Sequence, residues 1–179
     1  MIKTLMTILI IGDSLSVQPG QFVQDMLPNH NVIVQSKVSS GLNNSLFYDW
    51  YTQSEILSRK HNPDVVFIIL GTNDGNCYRY PEKVEKILKN FEGKIVYWIG
   101  IPPMRDLHIK KREDHNNKML KTLLGDKFID LKDIFGDVFT YEMNGNKIRT
   151  DDGIHYTNCG GKMVADKIVE VIKSVNSRN

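Results

Sequence analysis

The chain has 179 residues, of which 41% are hydrophobic and 25% charged, enough for one domain with a substantial core and too few for two. Its 23 basic and 21 acidic residues leave a formal net charge of +2. This near-balance gives no electrostatic case for nucleic acid or an anionic membrane as the main partner. We therefore expect residues 1–179 to form a single domain with no nucleic-acid partner.

The first apolar stretch, Leu5–Ile11, resembles the core of a short signal peptide because a lysine precedes it. It runs directly into Gly12-Asp13-Ser14 without a small-residue cleavage site, so we interpret it as the first buried strand. No stretch of the sequence approaches the ~18–20 apolar residues that span a bilayer. The expected location is cytoplasmic by default, with export or association with a virion as open alternatives.

Apolar, β-branched runs recur along the chain and predict the strands of a parallel sheet. They are continuous apolar runs instead of alternating ones, which is typical of strands covered on both faces. The four strong runs and a fifth, weaker one are Leu5–Ile11, Val32–Gln35, Val65–Leu70, Ile95–Ile101 and Phe128–Leu131.

Segments with helical spacing follow most of these strands, at Asp49–Arg59, Pro81–Phe91, Arg112–Leu124 and Gly160–Val175, the last with Thr157 or Asn158 as its N-cap. The polar stretch Ser16–Gly20 is interpreted as a loop, and Asp137–Arg149 as a turn-rich loop or small hairpin. Strands that alternate with helices indicate an α/β protein, a three-layer α/β/α sandwich of about five parallel strands with right-handed crossovers.

Ser14 comes directly after the first predicted strand, at the edge where open α/β sheets bind ligands. A serine hydroxyl becomes a good nucleophile only when a base takes its proton, and His155 is the candidate base. Asp152 lies three residues before His155, close enough in one turn to hold the imidazole through Nδ1, and Asp151 is the alternative acid. The structural alternatives are a serine that caps a helix and a surface histidine beside two solvated aspartates.

Acyl transfer also requires hydrogen-bond donors aimed at the developing oxyanion. Asn73 follows the third predicted strand, where its side-chain amide can point into the cleft. Gly41 follows the second strand and can offer a backbone N–H at close approach, with the Ser14 N–H as a further donor. A turn glycine and an Asx-turn asparagine are the structural alternatives.

Taken in order, Gly-Asp-Ser-Leu at 12–15, the glycine at 41, Gly-x-Asn-Asp at 71–74 and Asp-x-x-His at 152–155 resemble the four sequence blocks of the SGNH/GDSL hydrolases. The resemblance implies a flavodoxin-like α/β/α sandwich. It also implies that Ser14 is the nucleophile, His155 the base and Asp152 its orienting acid, and that Ser14, Gly41 and Asn73 form the oxyanion hole. Residues 39–42, 47–50, 100–105 and 149–157 resemble a bacterial branch of largely unknown function, linked to acyl esters of envelope or extracellular polysaccharide.

The sequence contains no long apolar lid segment, so we expect a serine esterase for short acyl groups, most simply an O-acetyl ester on a carbohydrate. Arg105, after the fourth strand, is a candidate to bind a substrate carboxylate or phosphate, and Tyr156 a candidate to contact a sugar ring. An O-acetyltransferase for polysaccharide or peptidoglycan, using the same triad, is the alternative within acyl transfer. A catalytically silent carbohydrate-binding module is the alternative of another class.

The sequence predicts no cofactor and no metal, because its histidines, cysteines and carboxylates do not cluster at ligand spacing. Cys77 and Cys159 are interpreted as two free thiols, with a disulfide between them as the alternative. The expected partner is the acyl ester substrate itself, a small molecule or a polysaccharide, and the oligomeric state is left open.

Overall fold

A five-stranded parallel sheet forms the centre of the computed structural model, which describes residues 5–75 and 79–177. Its strands are β1 (Thr7–Gly12), β2 (Asn31–Ser36), β3 (Val65–Ile69), β4 (Ile95–Ile99) and β5 (Phe128–Ile129). They are ordered β2-β1-β3-β4-β5, and each neighbouring pair is parallel. This is the order of flavodoxin-like folds, in which ligands bind where the strand order reverses between β1 and β3. The predicted α/β class is confirmed.

Helices cover both faces of the sheet, which completes the predicted three layers. The helices are α1 (Val17–Met26), α2 (Trp50–His61), α3 (Tyr80–Lys89), α4 (Leu107–Leu124), α5 (Lys132–Phe135) and α6 (Asn158–Asn176). Val23 of α1 and Ile168 of α6 join the core on one face. Trp50 of α2, Val84 of α3 and Leu120 of α4 join the core on the other face.

Strand β1 shows why the apolar runs of the sequence are continuous. Ile8 and Ile10 pack on the face covered by α1 and α6, whereas Leu9 and Ile11 pack on the opposite face, and all four are fully buried. Because side chains alternate across a strand, a strand covered on both faces needs apolar residues at successive positions. Burying each such side chain contributes about 1.5–3 kcal/mol, which fixes the strand that leads into Ser14.

The loop expected at Ser16–Gly20 is wrong, because the chain forms a 3₁₀ turn at Ser14–Ser16 and continues directly as α1. Pro19 lies in the first turn of α1, where a backbone N–H has no helical partner and its loss costs little. Gly20 lies against β2, where a Cβ would come within 2.6 Å of Val34 Cγ1. Proline and glycine are typical of turns in a sequence. Here the position in the first helical turn explains Pro19, and the close approach to β2 explains Gly20.

In two further helices, a side chain that accepts backbone N–H groups of the first turn marks the first residue. α4 begins at Leu107, well before the predicted start at Arg112, because the Asp106 carboxylate accepts two backbone N–H groups of the first turn at 2.8 and 3.1 Å. The predicted N-cap of α6 is confirmed, since the Thr157 hydroxyl accepts the Gly160 N–H at 3.3 Å.

The segment before the Asp-His motif forms the small hairpin that was one of its two predicted conformations. Its strands are β6 (Glu142–Met143) and β7 (Asn146–Lys147), which are antiparallel. The turn between them places Asn144 and Gly145 at positive φ, 51° and 75°. These two residues tolerate that region, which closes a two-residue hairpin turn.

None of the helices in the described ranges is long and apolar enough to cross a membrane. Cys159 is half-buried near the start of α6. Cys77 lies outside the described residues, so whether the two cysteines pair stays a prediction.

Candidate active site

The candidate catalytic residues meet at the edge of the sheet formed by the carboxyl ends of the strands. Ser14 follows β1, Gly41 lies in the loop after β2, and Asn73 lies in the loop after β3. Asp152 and His155 lie in the loop between β7 and α6. The predicted convergence of four distant segments therefore occurs in the described structure.

Ser14, His155 and Asp152 form a continuous hydrogen-bonded relay. The His155 Nε2 lies 2.9 Å from the Ser14 Oγ, and the His155 Nδ1 lies 2.7 Å from the Asp152 Oδ2. A carboxylate can only accept a hydrogen bond at neutral pH, so it holds the proton of the imidazole on Nδ1. In that tautomer the Nε2 accepts the Ser14 hydroxyl proton, which is the arrangement of a general base.

The Asp152 carboxylate is held by its own loop. Its Oδ1 accepts the backbone N–H of Ile154 at 2.7 Å, the N–H of His155 at 3.0 Å and the hydroxyl of Thr150 at 2.7 Å. Partial burial raises the pKa of Asp152, but these hydrogen bonds and the one from His155 outweigh it and hold the pKa well below its usual range. Asp152 is thus ionised wherever His155 can act as a base.

The neighbouring carboxylate, Asp151, faces away from the relay. It is largely exposed and pairs with the Lys147 ammonium at 2.6 Å. The geometry therefore favours Asp152 over Asp151 as the acid that orients the imidazole.

The loops that carry Gly41 and Asn73 are joined to each other. The Asn73 Nδ2 donates to the Ser40 carbonyl at 2.9 Å, and a Cβ on Gly41 would lie 2.3 Å from the Asp74 Oδ1. The Asp74 Oδ1 also accepts the Asn43 N–H at 3.0 Å. This close approach explains why the position is glycine, and it places the Gly41 backbone beside the Asn73 amide.

Asp13, next to the nucleophile, is fully buried and was not singled out by the sequence patterns. Burial raises its pKa to about 7, the negative charge of Asp74 adds to this, and hydrogen bonds from the Leu15 and Thr72 backbone oppose it. Burial also raises the pKa of Asp74. The turn at Ser14 and the turn at Asn73 are therefore linked through a buried carboxyl group.

The two candidate substrate contacts have different surroundings. Arg105 is exposed beside the catalytic loop, where its guanidinium donates to the Tyr141 hydroxyl and, at 3.4 Å, to the Asp152 carbonyl. Tyr156 is only 4% exposed and stacks on Phe135 with 5.7 Å between ring centroids. Its ring packs inside the domain, so the expectation that Tyr156 contacts a sugar is corrected.

Arg149 is a buried residue next to the site that sequence reasoning missed as a functional candidate. It is 1% exposed, and its guanidinium donates to the Ile154 carbonyl at 2.6 Å. Its position just before the Asp-x-x-His motif was visible, but nothing in a local pattern distinguishes a buried arginine from a surface one. Among residues 5–75 and 79–177, no group of three or more histidine, cysteine or acidic side chains is placed to hold a metal ion.

Comparison with solved structures finds proteins of the same fold. A carbohydrate acetylesterase family member from Sinorhizobium meliloti has a TM-score of 0.71 at 15% identity, with 96% of this chain and 100% of that chain covered. The C-terminal catalytic domain of peptidoglycan O-acetyltransferase A from Streptococcus pneumoniae has a TM-score of 0.59 at 17% identity, covering 97% and 96%. A family two carbohydrate esterase from Cellvibrio japonicus has a TM-score of 0.56 at 13% identity, covering 95% and 63%.

Sequence comparisons give two further matches. A family model described as a protein of unknown function (DUF459) matches residues 7–171. An N-acylneuraminate cytidylyltransferase from Escherichia coli O18:K1:H7 (strain RS218 / NMEC) is 24% identical over 163 residues, which are 83% of this chain. The chain spans 37% of the length of that curated relative.

Proposed function

We propose that this chain, which belongs to the DUF459 family and to the SGNH/GDSL hydrolase superfamily, is a serine esterase that removes short acyl groups, most simply acetyl, from carbohydrate hydroxyls. The observation that carries the proposal is the relay itself, with 2.9 Å between Ser14 Oγ and His155 Nε2 and 2.7 Å between His155 Nδ1 and Asp152 Oδ2. The solved structures with the same fold are a carbohydrate acetylesterase family member, a carbohydrate esterase and a peptidoglycan O-acetyltransferase domain, which supports acyl ester chemistry.

In the first half-reaction, the Ser14 Oγ attacks the ester carbonyl carbon while the His155 Nε2 takes the hydroxyl proton. The carbonyl oxygen becomes an oxyanion that accepts hydrogen bonds from the Ser14 and Gly41 backbone N–H groups and from the Asn73 amide. Each such donor contributes about 3 kcal/mol to the transition state. The carbon–oxygen bond to the sugar then breaks, the imidazolium returns its proton to the sugar oxygen, and the acyl group remains on Ser14.

In the second half-reaction, water attacks the acyl carbon and gives a proton to His155. Collapse of the second tetrahedral intermediate releases the carboxylic acid and returns the proton to the Ser14 Oγ. Asp152 stabilises the imidazolium formed in both halves without itself taking the proton. Arg105 lies beside this loop, so we include it in the proposal as a contact for a substrate carboxylate or phosphate.

The second candidate is an O-acetyltransferase, in which a sugar hydroxyl takes the place of water in the second half-reaction. The similarity to the catalytic domain of peptidoglycan O-acetyltransferase A supports it. Acetyl appearing on an added glycan, instead of free acetate, distinguishes this transferase from the esterase. The silent binding module is disfavoured because a protein that only binds sugar has no need of the Ser14–His155–Asp152 relay.

The direct test is release of p-nitrophenol from p-nitrophenyl acetate by the wild type, Ser14→Ala and the control Ser174→Ala. Ser174 is an exposed serine near the end of α6. We expect Ser14→Ala to fall to the background rate and Ser174→Ala to match the wild type. Wild-type activity in folded Ser14→Ala would rule out the serine mechanism. A clear preference for p-nitrophenyl palmitate over acetate would rule out the short-acyl assignment.

A further inference from the structure

Arg149 is an unusual residue to find inside a domain. It is 1% exposed, whereas arginine is almost never fully buried unless it is paired with a carboxylate. No carboxylate oxygen within the described ranges lies within 4.0 Å of its guanidinium. Burial lowers the pKa of Arg149, and the negative charges of Glu113 and Asp152 oppose this. A guanidinium nevertheless stays charged in proteins.

The buried charge is satisfied by two backbone carbonyls and by aromatic rings. One nitrogen, Nη1, donates to the Ile154 carbonyl at 2.6 Å, and the other, Nη2, donates to the Pro103 carbonyl at 2.9 Å. The guanidinium carbon lies 4.8 Å from the centroid of the Tyr156 ring and 5.3 Å from that of Phe135. Ring faces at these distances stabilise a cation, especially one that is shielded from water.

The two carbonyls belong to different parts of the candidate active site. Pro103 lies in the loop that follows β4, which is fixed to the sheet. Ile154 directly precedes His155, so the peptide whose oxygen accepts from Arg149 also contains the His155 nitrogen. The same loop is closed by the Thr150 N–H, which donates to the His155 carbonyl at 2.9 Å. The planar guanidinium therefore fixes the backbone of His155 relative to the sheet.

We infer that Arg149 is a positioning residue that holds the His155 backbone, and hence the imidazole, in line with Ser14 by joining the Ile154 carbonyl to the Pro103 carbonyl. The inference rests on the proposed function only where it is tested by enzyme kinetics. A fixed, planar fork is required to reach two carbonyls at once, and a lysine ammonium at this position provides the charge without that fork. Displacing a catalytic group by about 1 Å can reduce turnover about 10²-fold.

The test compares Arg149→Met, Arg149→Lys and the control Asn90→Ala. The Asn90 amide also donates two hydrogen bonds to a carbonyl and a hydroxyl, those of Tyr51 and Ser54, but on the far side of the sheet between α2 and α3. Two readouts are taken on each folded variant. One is kcat and KM with p-nitrophenyl acetate, and the other is the far-downfield proton resonance of the His155 Nδ1–H, which reports the hydrogen bond to Asp152.

We expect Arg149→Met to lose about 10²-fold in kcat with KM nearly unchanged, and to lose the downfield resonance. Arg149→Lys is expected to recover part of both, and Asn90→Ala to keep both even if its Tm falls. Wild-type kcat and an intact resonance in either folded Arg149 variant would overturn the inference. If Arg149→Met does not fold, the decision rests on Arg149→Lys, which keeps the buried charge.

The two proposals can fail separately. If the wild type has no Ser14-dependent esterase activity, the proposed function fails, but the resonance still tests the role of Arg149. If the wild type is active and Arg149→Lys matches it in kcat and in resonance, the role of Arg149 fails and the proposed function stands.

Discussion

Asp152 uses its two carboxylate oxygens for different purposes. Its Oδ1 accepts backbone N–H groups of its own loop, and its Oδ2 accepts from the His155 Nδ1. The same side chain therefore shapes the loop and orients the imidazole. The backbone N–H groups and the imidazole that donate to Asp152 all lie within three residues of it. This is why the Asp-x-x-His spacing predicts the pairing from the sequence.

Asn73 offers a residue-scale test of the oxyanion hole. One N–H of its amide is used by the Ser40 carbonyl at 2.9 Å, which leaves the second N–H for the oxyanion. We expect Asn73→Ala to reduce kcat about 10²–10³-fold with KM for p-nitrophenyl acetate nearly unchanged, because the donor acts on the transition state. Steady-state kinetics measure both constants.

Asn31→Ala is the matched control, because Asn31 is an exposed asparagine at the opposite end of β2. It should keep the wild-type kcat. Equal kcat values for Asn73→Ala and Asn31→Ala would show that Asn73 is not an oxyanion donor.

At the scale of residues, the sequence predicts the roles of side chains that belong to a recognisable local motif. It does not predict the roles of side chains that depend on being buried. Ser14 and His155 are 141 positions apart, yet each follows a recognisable local pattern. Tyr156 and Arg149 carry no such pattern, since one looks like a rim aromatic and the other like a surface cation. Only packing reveals that both are buried together beneath the catalytic loop.

At the scale of elements, α4 presents polar side chains to the loops of the candidate site. The Asn117 Oδ1 accepts the Ile101 N–H at 2.8 Å, and its Nδ2 donates to the Ile101 carbonyl at 2.8 Å. On the same helix, Glu113 accepts the Met104 N–H at 3.3 Å. These bonds satisfy backbone groups after β4 that have no strand partner, and they hold the loop that offers the Pro103 carbonyl to Arg149.

The buried polar face also explains why the sequence predicted that a helix ends at Leu124 but did not predict that it begins at Leu107. The helical pattern is read from apolar spacing, and Glu113, Asn116 and Asn117 occupy buried positions with polar residues. The Asp106 cap settles the start, and such a cap is recognisable only when the helix is already known. By contrast α3, with a clear apolar stripe, begins within one residue of the predicted Pro81.

Asn117→Ala tests this anchoring. The substitution leaves both the N–H and the carbonyl of Ile101 buried without a partner, at about 1–3 kcal/mol each. We expect the free energy of unfolding in urea to fall by about 2–6 kcal/mol, whereas Lys118→Ala, an exposed neighbour on the same helix, should change it by less than about 0.5 kcal/mol. If the two variants unfold at the same urea concentration, the Asn117 bonds do not stabilise the fold.

At the scale of the whole molecule, the order of the strands in the sheet brings the loops of the candidate site together. β1 lies between β2 and β3, so the loops after these three strands are neighbours at one edge of the sheet. The alternation of strands and helices predicts the sheet and its layers. It does not predict which loops bury charge, and the carboxyl groups of Asp13 and Asp74 lie beneath this edge at 1% and 3% exposure.

The buried Asp13 predicts how the stability of the whole domain depends on pH. Its pKa is raised from 3.8 to about 7 in the folded chain, chiefly by burial and further by the charge of Asp74. Between these two pH values the folded state binds more protons than the unfolded state, so the free energy of unfolding falls as pH rises through this window. The raised pKa of Asp74 acts in the same direction, whereas the lowered pKa of Asp152 acts in the opposite direction at lower pH.

Asp13→Asn isolates the Asp13 contribution, because the amide oxygen can still accept the Leu15 N–H but cannot ionise. Urea unfolding of both proteins at about pH 5 and about pH 8 gives the difference in stability at each pH. We expect Asp13→Asn to gain stability relative to the wild type as pH rises, whatever constant offset the substitution adds. Titrating groups that do not interact with Asp13 are common to both proteins and cancel in this difference, and the coupling between Asp13 and Asp74 is part of the Asp13 contribution. A difference that stays constant with pH would mean that Asp13 is ionised in the folded chain throughout, and that the charge beneath the nucleophile is solvated or paired.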